Sequence, residues 1–139
     1  MTLNEFRTVL LAKSVNRTQL PDDTELKERI FTGLKLIAKE TIPLKLLITT
    51  AQGYSVLRRL DDELFVKMPV RPAEEDSELD TDESLIDALA YYVMAGLERA
   101  KAPVHMGMYH SEIDFNNDRL IETFLSDTTN ESDKFQPYV

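Results

Sequence analysis

The chain has 139 residues, 42% of them hydrophobic, which suits one domain folded around one core and excludes a disordered polymer. It contains no cysteine, so a disulfide framework and a cysteine-based zinc site are excluded. A net charge of −9 with a pI near 4.7 disfavours sequence-independent DNA binding, which rests on Lys and Arg neutralising phosphates, although an acidic balance also simply keeps a protein soluble.

Met1 leads into an amphipathic stretch with no basic n-region, apolar h-region or cleavage site, so the chain is expected to be cytoplasmic at synthesis. Thr2 and Glu5 form a capping box, and Leu3, Phe6, Val9 and Leu10 give a helical stripe to about Lys13. Ser14–Pro21 reads as a loop. Asp22 or Asp23 then caps a longer helix to about Glu40, with Leu26, Ile30, Leu34 and Ile37 as its stripe and Phe31 at the edge. Gly33 weakens that helix by roughly 1 kcal/mol relative to Ala and so marks a close helix crossing.

Pro43 changes the period. Leu44–Thr49, Tyr54–Leu60 and Leu64–Met68 read as three strands, joined by a Gln52-Gly53 turn and the tight connection Asp61-Asp62-Glu63. Together they predict a three-stranded antiparallel meander, or at least a hairpin, over about residues 43–69. Arg58, Arg59 and Lys67 are its main positive charges. Residues on both faces are apolar, so the meander is expected to project and to meet a partner through Arg58 and Arg59.

Arg71–Thr81 reads as a solvated acidic linker into a central helix over Asp80–Lys101. Asp80 with Glu83 signals its start; Arg99 and Lys101 in the last turn and Pro103 beyond signal its end. Leu85, Ile86, Leu89, Ala90, Tyr92, Val93 and Leu97 share one broad face. Between Leu85 and Glu98 only Asp87 and Glu98 are charged, pointing within about 20° of each other. A helix this apolar must be covered nearly all round, by its own domain or by another subunit. Its uncharged run is too short to span a bilayer, which needs about 20 apolar residues.

After Pro103 a last helix runs to about Leu125 on the stripe Met106, Tyr109, Ile113, Leu120 and Phe124, with Asn116-Asn117-Asp118 as an expected interruption or kink. Residues 1–126 thus form a single helical-bundle domain, α+β and mainly α. Residues 127–139 form a polar tail in which Phe135, Pro137 and Tyr138 can anchor on a partner or fold back on the bundle.

Signals for catalysis are weak. His105 and His110 are five apart and do not share a helix face as a zinc-binding pair would, so they read as solvent-facing or packing residues. There is no P-loop, no G-x-G-x-x-G and no G-x-S-x-G. Asp76-x-Glu78-x-Asp80-x-Asp82 has the oxygen spacing of an EF-hand loop, but Thr81 stands where the turn needs glycine and Asp87 where the longer Glu belongs. No metal or cofactor is expected.

The order of parts resembles the small head-to-tail connector (adaptor or head-completion) proteins of tailed bacteriophages. The residues that carry the resemblance are DESLIDALAYYVMAGL (Asp82–Leu97), preceded by strands reading LRRL and LFVKMPVRP and by the acidic segment, and followed by a terminal helix with Tyr109. The resemblance covers roughly residues 20–126 and implies a non-enzyme. It implies a ring, commonly of twelve copies, in the neck of the virion beneath the portal protein, contacting a tail or stopper (nozzle) protein. It also implies that DNA passes through the channel without specific binding, that no membrane is involved, and that the C-terminal anchor docks on the portal. Twelve copies at −9 each would carry about −108 formal charges, which suits a channel along which DNA must slide. The alternative class is an acidic phage regulatory or inhibitor protein that mimics nucleic-acid charge. Its carboxylates would be spaced like phosphates along one surface; here they cluster in the linker.

Overall fold

The computed structural model describes residues 1–14 and 19–127, with side chains as far as Glu122. Among these residues the elements run α1 (Leu3–Lys13), α2 (Asp23–Glu40), β1 (Leu47–Ile48), β2 (Val56–Asp61), β3 (Leu64–Lys67), α3 (Ile86–Leu97) and α4 (Ala102–Asp127). The fold is α+β and mainly α, four helices with a small antiparallel sheet, as the periodicities predict.

α3 is the centre. It packs against α1, α2 and α4, and Leu89, Ala90, Val93 and Met94 are buried among them. The nearly all-apolar helix is therefore covered by its own chain. Leu3, Phe6 and Leu10 of α1 and Leu26, Ile30, Leu34 and Ile37 of α2 complete the same core, with Tyr109 and Ile113 of α4. Each residue lies where its 3.6-residue stripe places it.

α3 begins later than the sequence predicts. Asp80 does not cap it; a 3-10 turn, Glu83–Leu85, leads in instead. The carboxylates are used elsewhere. Asp80 accepts from Val70 N at 2.8 Å, and Asp82 accepts from Leu44 N at 2.7 Å and Lys45 N at 2.8 Å. At its other end α3 stops at Leu97, and a 3-10 turn, Arg99–Lys101, makes the corner into α4. Glu98 is drawn into the interior there, so Arg99 and Lys101 belong to the corner and not to a last helical turn. Pro103 sits in the first turn of α4, where a missing N–H costs nothing.

The sheet order is β1-β3-β2, which corrects the meander. β2 and β3 form a hairpin closed by Asp62-Glu63, with Glu63 N donating to Asp61 Oδ1 at 2.8 Å, and β1 lies on the far side of β3. Leu44–Leu46 is a 3-10 turn and not part of a strand, because Asp82 captures the amides of Leu44 and Lys45. One face of the sheet closes on α2 through a second small core of Ala38, Leu46 and Val66, flanked by Ile42, Leu47, Leu57 and Leu60.

Residues 71–82 are a strap and not a solvated linker. Their carbonyls take the first two amides of α1, Leu3 N to Ser77 O and Asn4 N to Glu75 O, both at 3.0 Å. Thr2 Oγ1 takes the third, Glu5 N at 3.2 Å, while Glu5 Oε1 accepts from Thr2 N at 3.0 Å, completing the predicted capping box. Thr2 also bridges Glu78, and Leu79 N donates to Met1 O at 2.9 Å. Arg7 joins the strap to α2, pairing with Glu75 and, at 2.6 Å, with Asp23. The strap's own Leu79 is buried in the helical core.

α4 runs unbroken through Asn116-Asn117-Asp118. The asparagines do not interrupt it because their amides serve the C-terminus of α2. Asn116 Nδ2 donates to Thr41 Oγ1 at 2.8 Å, Thr41 Oγ1 donates to Asn117 Oδ1 at 2.5 Å, and Asn117 Nδ2 donates to Glu40 O at 3.2 Å.

Candidate interaction surfaces

Arg58 and Arg59 do not form one site, because successive residues of β2 point to opposite faces. Arg58 turns inward. Its Nη1 donates to Lys39 O at 2.8 Å and its Nη2 to Thr41 O at 2.9 Å, so a cation caps the negative end of α2. Burial pushes its pKa down from the ordinary arginine value. Its Nε is buried and finds no partner among the described residues. Arg58 is thus occupied within the chain, not presented to a partner as the sequence suggests. Arg59 faces solvent, pairs with Asp62 and donates Nε to Asp61 O at 3.1 Å. Phe135, Pro137 and Tyr138 lie outside the described residues.

Among the described residues three surfaces stand out, two hollows and one exposed apolar helix face. At the sheet end, Tyr54 and Val70 line a hollow of about 440 Å³ with Lys67, whose Nζ lies 5.6 Å from the Tyr54 ring centre. Gly53, at φ +82°, makes the turn that carries Tyr54 outward. A second hollow of about 440 Å³ lies between α2, α3 and the start of α4. Its floor is apolar (Tyr92, Val93 and Met106) and its rim is Glu25 and Arg29. Gly96 allows this arrangement: a β-carbon there would stand 2.5 Å from Arg29 Nη1. The third is the outer face of α4, where Val104, Met108 and Phe115 are exposed. The stripe Met106, Tyr109 and Ile113 marks the opposite side, turned to the core. Val104, Met108 and Phe115 form a second apolar repeat, at spacings of four and seven.

The buried polar groups serve packing. His105 Nε2 and Glu98 Oε1 are 2.9 Å apart and both are buried; Ser14 Oγ donates to Glu98 Oε2 at 3.0 Å. His105 is thus a packing residue, while His110 is exposed with its ring edge against Tyr109. Tyr109 Oη donates to Glu40 Oε1 at 3.0 Å, and burial together with that carboxylate pushes the phenol pKa well up. The acidic run diverges: Glu78 meets the Met1 amine at 2.7 Å, while Asp80 and Asp82 face different backbone amides. Among the described residues no group of three or more His, Asp or Glu is placed to hold a metal ion, and no helix is long and apolar enough to cross a membrane.

No protein-family model, curated protein or solved structure matches this chain.

Proposed function

We propose that the chain is a structural protein of a tailed-phage virion, a head-to-tail adaptor whose copies form a ring between the portal and the tail. The observation that carries this reading is the pairing, on one acidic body, of exposed apolar side chains at the sheet end (Tyr54 and Val70) with a separate cleft floored by Tyr92, Val93 and Met106. A ring with rotational symmetry needs such a heterologous contact, one surface of each copy against a different surface of the next. In the ring the exposed Tyr54 and Val70 of one copy meet the cleft of the next. The net charge of −9 per copy supports a DNA-facing channel that does not bind its cargo. Phe135, Pro137 and Tyr138 are assigned to the portal contact.

The acidic-mimic alternative gains nothing from the geometry. Glu75, Glu78, Asp80 and Asp82 are spent on partners inside the chain rather than displayed like phosphates.

Co-sedimentation with DNA-filled, portal-bearing, tailless capsids tests the reading. The chain is expected in the pellet with these capsids and in the supernatant with capsids lacking portal. Equal recovery in both, or none in either, would exclude an adaptor role.

A further inference from the structure

The outer face of α4 is patterned as a helix-pairing seam. Val104, Met108, Ser111, Phe115 and Asp118 are all exposed and recur at alternating spacings of four and three. At 100° per residue they lie within about 40° of the Val104 direction, as the contact positions of a two-helix coil do. Val104 is 59% exposed, Met108 43% and Phe115 62%, on a helix whose opposite side is the buried one. Lone exposed apolar residues need no explanation; three on one seam do.

The charges along the seam are not symmetric. Lys101 stands just before its N-terminal end and Asp118 near its C-terminal end, both exposed. A parallel pair of such helices would set Lys101 on Lys101 and Asp118 on Asp118, which repel. An antiparallel pair sets each Lys101 on the partner's Asp118.

We propose that this face pairs with the same face of a second copy of the chain, the two α4 helices running antiparallel. The two-fold axis passes at the level of Tyr109 and His110. In that register Val104 meets Phe115 of the second copy, Met108 meets Ser111, and Lys101 meets Asp118. All three pairings follow from one choice of axis. A small residue, Ser111, stands opposite the long, adaptable Met108, so the helices can approach closely. Gly107, with open space around its α-carbon, flanks the same seam and adds no bulk. An isologous contact closes after two copies. It is therefore distinct from the ring contact proposed above and does not depend on it.

The chain has no cysteine, so single introduced cysteines report the register cleanly. Sedimentation velocity of the full chain over a hundredfold concentration range should show a monomer passing to a dimer. Met108→Glu should weaken self-association by about tenfold or more without changing the melting of the dilute chain, because the position is exposed. Lys101→Glu and Asp118→Lys should each weaken the dimer, and the double variant should restore it. Under mild oxidation, Val104→Cys and Phe115→Cys should cross-link only when mixed, because like positions stand roughly 17 Å apart along the antiparallel axis. A chain that stays monomeric throughout overturns the proposal. So does a disulfide formed by Val104→Cys alone, or a dimer whose two cysteine variants fail to cross-link when mixed.

Discussion

Leu89 of α3 lies so close to Gly33 of α2 that a β-carbon on Gly33 would stand 2.7 Å from Leu89 Cδ1 and 2.9 Å from Tyr92 Cδ2. Leu89 is fully buried and has nowhere to move. The glycine is thus a point where α2 meets the central helix, and the sequence marks it.

Gly33→Val should therefore destabilise the fold by about 1–3 kcal/mol through overpacking, despite removing a poor helix former. Gly107→Ala is the counterpart. Nothing lies within 4 Å of a β-carbon there, so it should stabilise the fold by about 0.5–1 kcal/mol. Denaturant melts of both variants check the contrast, and a stabilising Gly33→Val would mean that the helices do not cross there.

The two adjacent arginines should separate cleanly. Arg58→Glu removes a cation from two backbone carbonyls at the end of α2 and puts a carboxylate against them, so a loss of about 2–4 kcal/mol is expected. Arg59→Glu changes an exposed residue and should stay within about 0.5 kcal/mol. Thermal melts of the two single variants decide it; equal effects would place both side chains on the surface.

Tyr109 should make the fold sensitive to alkali. Burial and Glu40 raise its pKa in the folded state, whereas an unfolded tyrosine titrates near about 10. Above that pH the unfolded chain releases the proton and the folded chain keeps it. The unfolded state then binds fewer protons, and stability falls as pH rises. Tyr109→Phe should be weaker at neutral pH by about 1 kcal/mol, for the lost hydrogen bond to Glu40, yet lose stability less steeply above pH of about 10. Urea midpoints of both proteins across that range give the slopes; identical slopes would contradict the burial of the phenol.

Asp82 ties the strap to the start of the sheet. Asp82→Ala leaves the amides of Leu44 and Lys45 without their acceptor and should cost about 1–2 kcal/mol. Amide exchange at those two positions should accelerate ahead of exchange in β3. Unchanged protection there would show that the carboxylate is not their partner.

Local signals were legible and tertiary ones were not. The Thr2–Glu5 capping box, the stripes of α1 and α2, the Gly33 crossing and the Asp61–Leu64 hairpin turn all rest on residues close in sequence. Asp80 carried a good capping signal too, but the distant amide of Val70 competes for its carboxylate and wins, as the amides of Leu44 and Lys45 do for Asp82. The strand order was hidden for a similar reason: alternation locates strands but does not say which one sits in the middle. Asn116 and Asn117 look like helix breakers until Thr41 and Glu40 are seen beside them. In the candidate surfaces, composition pointed to Arg58 as a free cation. Only packing shows it to be a cap, and only the burial of Tyr109 and Ile113 shows that Val104, Met108 and Phe115 lie on the outside.

The proposed ring-forming adaptor role is tested most directly by electron microscopy of the chain bound to purified portal. A ring coaxial with the portal is expected, commonly of twelve copies, with the Tyr54 and Val70 end of the sheet of each copy set against the α2–α3–α4 cleft of the next. Portal particles that carry no added ring, or copies attached singly without a shared axis, would contradict it.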